Sequence, residues 1–189
     1  MSDAGEDVHY HGPTSAYAHA SHLPALSTSP AMIKSHFPAD RPHDYRLFLP
    51  RSVNISHSQH STILDRFFRF FASWGLRTSP ELFMQDMVRT VMLPSNTPPA
   101  RFSHYSPFLH NIILAIALMW AEEEHLCHAD TRAIFAEHAE SFLSSELARP
   151  TLATVQGLAL KSSLHSTLGD HASGWAYFGM AERVCLSRE

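Results

Sequence analysis

The sequence predicts an all-α fold: a bundle of about six helices with an αα-hairpin at its C-terminal end, preceded by a disordered tail. Three observations support this prediction. From residue 61 onward apolar residues recur at helical spacing, and no segment alternates as a strand would. Serine or threonine precedes several of these segments, twice with proline next, which is typical of helix starts. The 189 residues are 44% apolar and 11% aromatic, which is enough to form a core.

The first 60 residues differ in composition from the rest of the chain. They contain nine Ser, six Pro and eight His, and their apolar residues follow no period. Such a segment buries too little apolar surface to offset the entropy lost on ordering. We therefore predict a disordered Ser/Pro/His-rich tail over residues 1–60 and a helical domain over residues 61–189.

The first three predicted helices differ in how they begin. The first lies in HSTILDRFFRFFASWGLR, where Ile63, Phe67, Phe70 or Phe71, and Trp74 recur at helical spacing and Gly75 supplies a stop. The second begins at Ser79-Pro80 and ends at Pro94, and the third begins at Ser106-Pro107 as PFLHNIILAIALMWAEEE. Because the third helix is apolar on nearly every side, we expect it at the centre of the bundle.

The last three predicted helices follow one another closely. The fourth starts near Asp130 and stops before Pro150, and the fifth runs from its capping Thr151 to a turn at Gly169-Asp170. The sixth is the C-terminal run GWAYFGMAERVCLSRE, residues 174–189. The short turn between the fifth and sixth helices makes them an αα-hairpin.

The sixth helix is apolar on two sides when its residues are placed at about 100° per residue. One side carries Trp175, Phe178, Cys185 and Leu186, and the other carries Tyr177, Met180, Ala181 and Val184. The fifth helix can cover only one of these sides, so we expect the other to be exposed. This uncovered side and the absence of a C-terminal cap favour a chain that is part of a longer domain.

Charge and apolar patterning exclude several classes of protein. The chain has 14 Lys and Arg against 18 Asp and Glu, so it lacks the positive field that attracts nucleic-acid phosphates. The longest apolar run, Ile112 to Trp120, is shorter than the ~20 residues of a membrane span, and the N-terminus is not a secretory signal. We expect a soluble protein with no membrane partner. Its two cysteines, Cys127 and Cys185, suggest buried thiols in a reducing compartment.

Two groups of residues resemble metal ligands, but each lacks the rest of a site. His9 and His11 lie in the predicted tail, which fixes no geometry, and Glu122 with His125 forms a single Glu-x-x-His pair where carboxylate sites need two. His125, Cys127 and His128 would be half of a zinc site. We predict a solvated charged helix end here, and neither metal-binding nor cofactor-binding residues in the chain.

No motif indicates catalysis, so we predict no catalytic residues and a protein that is not an enzyme. The chain has no Gly-x-Ser-x-Gly elbow and no glycine-rich phosphate loop. His110 and Asn111 are polar residues inside the apolar third helix. They either form a hydrogen-bonded core pair or mark a ligand-sensing pocket among the helices.

Several ordered motifs carry a resemblance to a known family. They are Pro80 to Phe83 with Asp86-Met87, His104 to Pro107 with Leu109 to Asn111, Thr154 to Gln156, and Gly174-Trp175 through Tyr177, Gly179 to Ala181 and Arg183. Over roughly residues 60–189 the chain resembles the fungal-specific transcription factor domain, the middle homology region of binuclear zinc-cluster regulators. Within that family it is most similar to the xylanolytic transcriptional activators.

The resemblance implies an all-helical regulatory domain of a nuclear protein. In the family, DNA is bound through a six-cysteine, two-zinc module, and the domain continues beyond the Gly-Trp to Arg motif. With two cysteines, neither in the first 60 residues, this chain does not contain that module. The resemblance therefore implies DNA only as a partner of the missing module. A co-regulator, the transcription machinery and a small-molecule inducer are the other partners it suggests.

The function predicted from sequence is transcription regulation through a conformational change of the helical domain. Two alternatives remain. A freestanding helical-repeat scaffold would bind protein partners through its αα-hairpins. A bundle enzyme would need a closed polar pocket with a titratable residue of perturbed pKa, for which Glu122 to His128 is the candidate stretch.

Overall fold

A computed structural model describes residues 45–71, 78–93 and 101–187 of the chain. Over these residues the ordered elements are helices and no strand is present, which confirms the all-α prediction. Two 3₁₀ helices, Tyr45–Phe48 and Leu118–Trp120, accompany the α-helices. The α-helices are α1 His57–Phe70, α2 Pro80–Val91, α3 Pro107–Ala117, α4 Glu124–Cys127, α5 Ala129–Ala148, α6 Leu152–Thr167 and α7 His171–Leu186.

Both predicted Ser-Pro starts are helix N-termini. The hydroxyl of Ser79 accepts a hydrogen bond from the Leu82 amide, and that of Ser106 accepts one from the Leu109 amide. In both helices proline takes the first turn, where its missing amide hydrogen costs nothing. Short polar signals in the sequence therefore fix where α2 and α3 begin.

Helix α3 occupies the centre of the bundle, as predicted. Every residue from 108 to 118 is buried, including the polar His110 and Asn111. The helix packs against α1 on one side and against α5 and α6 on others. Its apolar character all round follows from this position, because no side of the helix faces water.

Helices α6 and α7 form the predicted αα-hairpin. Gly169 adopts a left-handed backbone conformation, with φ of 81°, which only glycine takes readily. Asp170 then caps α7 by accepting a hydrogen bond from the Ser173 amide. This cap starts α7 at His171, three residues before the predicted start at Gly174.

The third helix ends earlier than predicted. It stops at Ala117, tightens into the 3₁₀ turn that ends at Trp120, and leaves the glutamates from residue 122 onward outside α3. Two of those glutamates bond to α1: Glu122 pairs with Arg66, and Glu123 accepts from Gln59 at 2.6 Å. These contacts hold the segment after Trp120 against α1. The short helix α4, which the sequence analysis does not predict, follows there.

Part of the predicted tail is packed structure. Tyr45, Leu49 and Ile55 are buried, and the predicted boundary at residue 60 falls inside α1. The Tyr45 hydroxyl donates to the Ile55 carbonyl at 2.7 Å, which closes this segment into a loop against the bundle. Among the described residues the folded region therefore begins by residue 45. Residues 1–44, Trp74 and Gly75 lie outside the described residues.

Candidate functional site

Most of the residues that resembled metal ligands are exposed, and several of them bond to other groups. Glu122 pairs with Arg66. The carboxylate of Glu123 accepts a hydrogen bond from Gln59, which lowers the pKa of Glu123. The His128 ring accepts a hydrogen bond from the Asp130 amide at the start of α5. Within the described ranges no group of three His, Cys, Asp or Glu side chains is placed to hold a metal ion. His9 and His11 lie outside those ranges.

The prediction of two buried thiols is wrong. Cys127 is only half-buried at the end of α4, and Cys185 is exposed. Helix α4 lies on the surface of the bundle, and Cys185 is on the side of α7 that no described helix covers. Apolar neighbours in the sequence led to the prediction, but next to Cys127 only Leu126 is turned into the core, and the neighbours of Cys185, Val184 and Leu186, are themselves partly exposed.

A chain of three buried rings crosses the core at His110. Its Nε2 lies 2.8 Å from Nε2 of His60 on α1, and its Nδ1 lies 3.2 Å from the Tyr105 hydroxyl. The ring of Tyr45 stacks on His60 at 4.5 Å between centroids. Of the two alternatives for His110, the structure therefore supports a hydrogen-bonded core residue. One of its partners, His60, lies within the predicted tail.

Burial keeps both histidines neutral. It lowers the pKa of His110 to about 3, and it lowers the pKa of His60 well below its ordinary value, with further repulsion from His110 and His57. Of the two facing Nε2 atoms only one can carry a hydrogen, so one ring donates to the other. Nδ1 of His60 has no hydrogen-bond partner among the described residues, so this polar chain is incomplete at one end.

Asn111 fastens the 45–56 segment to α3. Its side-chain nitrogen donates to the carbonyls of Phe48 and Pro107, both at 2.8 Å. The side-chain oxygen is buried and has no partner in the described part of the chain. The amide nitrogen of Asn111 therefore holds the segment in place, and its bond to the Phe48 carbonyl positions Phe48 beside a cavity.

That cavity, which we call the Glu146 cavity, has a volume of about 280 Å³. It lies where the 3₁₀ helix at residue 45, the end of α2, residues 101–107, α5 and the start of α6 converge. Its walls are mainly apolar, and the rings of Phe48, Phe102 and Phe142 form much of them. The polar lining residues are Thr90, Arg101, Tyr105, Ser106, Ser145, Glu146 and Thr151.

Glu146 is the acidic residue of this cavity and is only 8% exposed. Its Oε2 accepts a hydrogen bond from the Thr154 hydroxyl at 2.9 Å. Burial raises the pKa of the carboxyl, while hydrogen bonds from Thr154 and Ser106 and the charge of Arg101 act in the opposite direction. Desolvation prevails, so the ionised carboxylate is less well compensated here than in water.

Arg101 is near Glu146, but its guanidinium bonds to backbone carbonyls, that of Glu146 included, and not to the Glu146 carboxylate. It donates to the Arg149 carbonyl at 2.7 Å and also to the Ser145 carbonyl, both at the C-terminus of α5. These bonds satisfy carbonyls that lack partners within the helix. Among the described residues no cation lies within 4.0 Å of the Glu146 carboxylate. The sequence offered no sign of this site, because its parts come from five separate segments.

A second buried charge joins α7 to the rest of the bundle. Lys161 on α6 is 1% exposed, pairs with Glu140 on α5, and lies 4.8 Å from the centre of the Tyr177 ring. The Tyr177 hydroxyl donates to Glu140 at 3.3 Å. One lysine therefore contacts groups from both neighbouring helices and fixes the inner side of α7.

No element among the described residues covers the outer side of α7, as the helical placement predicts. Trp175 is 76% exposed, and Phe178 and Leu186 are more than half exposed, whereas Ala181 is buried and Tyr177 is half-buried. The rings of Trp175 and Phe178 meet edge to face at 6.4 Å. We call this surface, formed by Trp175, Phe178 and Leu186, the outer face of α7.

Comparison with known proteins identifies the family. None of the helices in the described ranges combines the length and the apolarity that a membrane crossing requires. Neither the curated proteins nor the solved structures contain a match. The model of the fungal specific transcription factor domain, however, matches residues 64–188, which includes all of α2 to α7. Since the match covers most of the chain and the described elements are all helical, the chain belongs to the fungal specific transcription factor domain family.

Proposed function

We propose that the chain is the regulatory domain of a nuclear fungal transcription factor and has no catalytic role. The single observation that carries this proposal is the family match over residues 64–188. The arrangement of the helices supports it. Helix α3 packs against α1, α5 and α6, so a change in its packing against one of these helices alters the position of α3. The order of the sequence motifs favours the group of xylanolytic activators.

The mechanism we propose is conformational. A co-regulator, the transcription machinery or a small metabolite binds better to one packing of the helices, and this difference in affinity masks or releases an attached DNA-binding or activating region. DNA would be bound only through the zinc-cluster module of the family, which this chain does not contain and in which zinc is a structural ion. The Glu146 cavity supports the metabolite form of the mechanism, because its walls come from segments that must move together if the bundle repacks.

A transcription reporter tests this function directly. The full chain is fused to a DNA-binding module from an unrelated protein, and reporter output is compared with that of the module alone. We expect at least a threefold change, in either direction. A fusion to an unrelated helical bundle of similar length is the matched control. Equal output from all three proteins would contradict the proposal.

A protein-interaction scaffold is the second candidate, and the outer face of α7 favours it. Trp175 and Phe178 expose aromatic surface of the kind that binds protein partners. Against it, α3 contacts helices on several sides, whereas each unit of a helical repeat contacts only its neighbours. A scaffold predicts partner binding that Trp175→Gln abolishes, together with a reporter that does not respond to the fusion.

A further inference from the structure

We propose that the Glu146 cavity binds a small aromatic amine, with its ring among the phenylalanines and its ammonium group on the Glu146 carboxylate. This inference rests on the proposed function in one respect: the amine would be the metabolite that the regulatory domain senses. Binding itself requires only the fold. The proposal stands on three properties of the cavity: its size, its aromatic walls and its buried carboxylate, which forms no ion pair within 4.0 Å among the described residues.

The volume of the cavity sets the size of the ligand. At about 280 Å³ it is close to the lower end of the range for small-molecule sites. A cavity of about 150 Å³ accommodates benzene. One aromatic ring with a short side chain therefore fits, and a sugar chain or a nucleotide does not.

The walls select an aromatic body. Phe48, Phe102 and Phe142 approach from three different segments, with Pro107 beside them. Ring faces and edges from several directions favour a ring between them, in offset or edge-to-face contact. The same rings attract a cation, because the face of an aromatic ring carries partial negative charge. An aromatic group and a positive charge on one molecule would use both properties.

The carboxylate selects the charge of the ligand. Glu146 is almost fully buried, its hydrogen bonds come from neutral hydroxyl groups, and Arg101 is held by carbonyls of α5. A buried charge without a directly paired counter-ion is unfavourable, and burial raises the pKa of this carboxyl although the charge of Arg101 acts in the opposite direction. An ammonium group would pair directly with the carboxylate, which the guanidinium of Arg101 does not. A ligand carboxylate would add a second negative charge, and the Arg101 guanidinium in the cavity wall would have to leave its carbonyl partners to pair with it. A hydrocarbon would leave the Glu146 carboxylate without a directly paired cation.

Three probes of similar shape and different charge test the proposal on the full chain. They are 2-phenylethylamine, propylbenzene and 3-phenylpropionate, each titrated at pH 7.5 and followed by amide chemical shifts in NMR spectra. A molecule of about nine non-hydrogen atoms is expected to bind in the millimolar to micromolar range. We expect the amine to bind at least tenfold more tightly than the other two probes, with shift changes centred on α5 and residues 101–107.

Two variants separate the charge from the walls. Glu146→Gln keeps an acceptor for Thr154 but removes the charge, and should weaken binding of the amine at least tenfold. Glu137→Gln, at an exposed position of the same helix, is the matched control and should leave binding unchanged. Phe102→Leu leaves Glu146 in place and should weaken all probes alike. It keeps the test informative if Glu146→Gln fails to fold.

The proposal is overturned if the amine binds no better than the carboxylate, or if Glu146→Gln or Phe102→Leu binds it as the original chain does. Lack of binding by all three probes also overturns it. That failure is distinguishable from failure of the proposed function, which the reporter measures without any ligand. If the fusion changes reporter output but the chain binds no amine, the inference about the cavity is wrong and the proposed function stands.

Discussion

At the scale of single residues, the neutral pair of His60 and His110 has a consequence for stability. In the unfolded chain each histidine gains a proton near pH 6.5, but in the fold burial lowers the pKa of both. The unfolded state therefore binds more protons once the pH falls below 6.5. The stability from neutral burial is fully present above that value and is lost progressively as the pH falls toward about 3, the pKa of His110.

We predict that the free energy of unfolding falls by about 1 to 3 kcal/mol between pH 7.5 and 5.5, since each histidine can contribute up to about 1.4 kcal/mol per pH unit. Urea unfolding followed by circular dichroism measures it. His60→Gln replaces one titrating ring by an amide that can still bond to His110. In this variant the free energy of unfolding should fall by about half as much over the same pH range. The exposed His171→Gln should keep it. An equal decrease in all three proteins would exclude the buried pair as its cause.

Lys161 gives a second prediction at this scale. We expect Glu140→Gln to destabilise the fold by about 1 to 2 kcal/mol, because it leaves a 1% exposed ammonium without its carboxylate. The partial exposure of Glu140 keeps the cost below that of a fully buried pair. Lys161→Met, which removes the charge and keeps the length of the side chain, should cost less. Greater destabilisation by Lys161→Met than by Glu140→Gln would contradict this account.

At the scale of elements, two glycines in helices have opposite surroundings. A Cβ atom at Gly157 would lie 2.6 Å from the ring of Phe108, which is buried where α3 crosses α6. A Cβ atom at Gly179 on α7 would meet nothing within 4 Å. The close approach of α6 to the central helix therefore depends on the missing side chain at Gly157. At Gly179 on α7 there is room for a side chain.

We predict that Gly157→Ala destabilises the domain by about 1 to 2 kcal/mol, since overpacking costs more than the gain in helix propensity. Gly179→Ala should stabilise it by about 0.5 to 1 kcal/mol, because only the propensity gain applies there. Chemical denaturation of the two variants under identical conditions measures both effects. Stabilisation by both substitutions would show that α6 is not held tightly against Phe108.

The two sides of α7 should also differ in their contribution to stability. We expect Trp175→Gln to change the free energy of unfolding by less than about 0.5 kcal/mol, because this side chain is 76% exposed. Tyr177→Ala should cost about 2 kcal/mol or more, since Tyr177 stacks on His165 and contacts both Lys161 and Glu140. Thermal unfolding compares the two variants. A large loss with Trp175→Gln would mean that the outer face of α7 is covered.

Much of the helical framework could be predicted from sequence, because its signals are local. Ser79-Pro80 and Ser106-Pro107 mark helix starts, and the uninterrupted apolar run after Pro107 indicates a central helix. The features of the candidate site could not be predicted in this way. Glu146 and His60 look like surface residues in their own segments. Contacts with other elements bury them, with Thr154 on α6 for Glu146 and with His110 on α3 for His60. Their environment is decided by packing and not by spacing.

At the scale of the whole molecule, the described helices are organised around α3. Through His110 and Asn111 this helix bonds to α1 and to the 45–56 segment, and its backbone carbonyl at Ala115 accepts from Arg132 on α5. The Glu146 cavity lies beside its N-terminus. The regulatory role that we propose belongs to this assembled bundle and to no single helix, so it should disappear when the bundle unfolds.

The most direct test measures reporter output from a series of fusions of decreasing stability. The original chain, Gly157→Ala and Ile113→Asp, which introduces a charge into α3, are each fused to the same unrelated DNA-binding module and expressed at equal levels. We predict that the effect of the fusion on transcription decreases in that order and vanishes with Ile113→Asp. An undiminished effect from Ile113→Asp, with the bundle shown to be unfolded, would contradict the account.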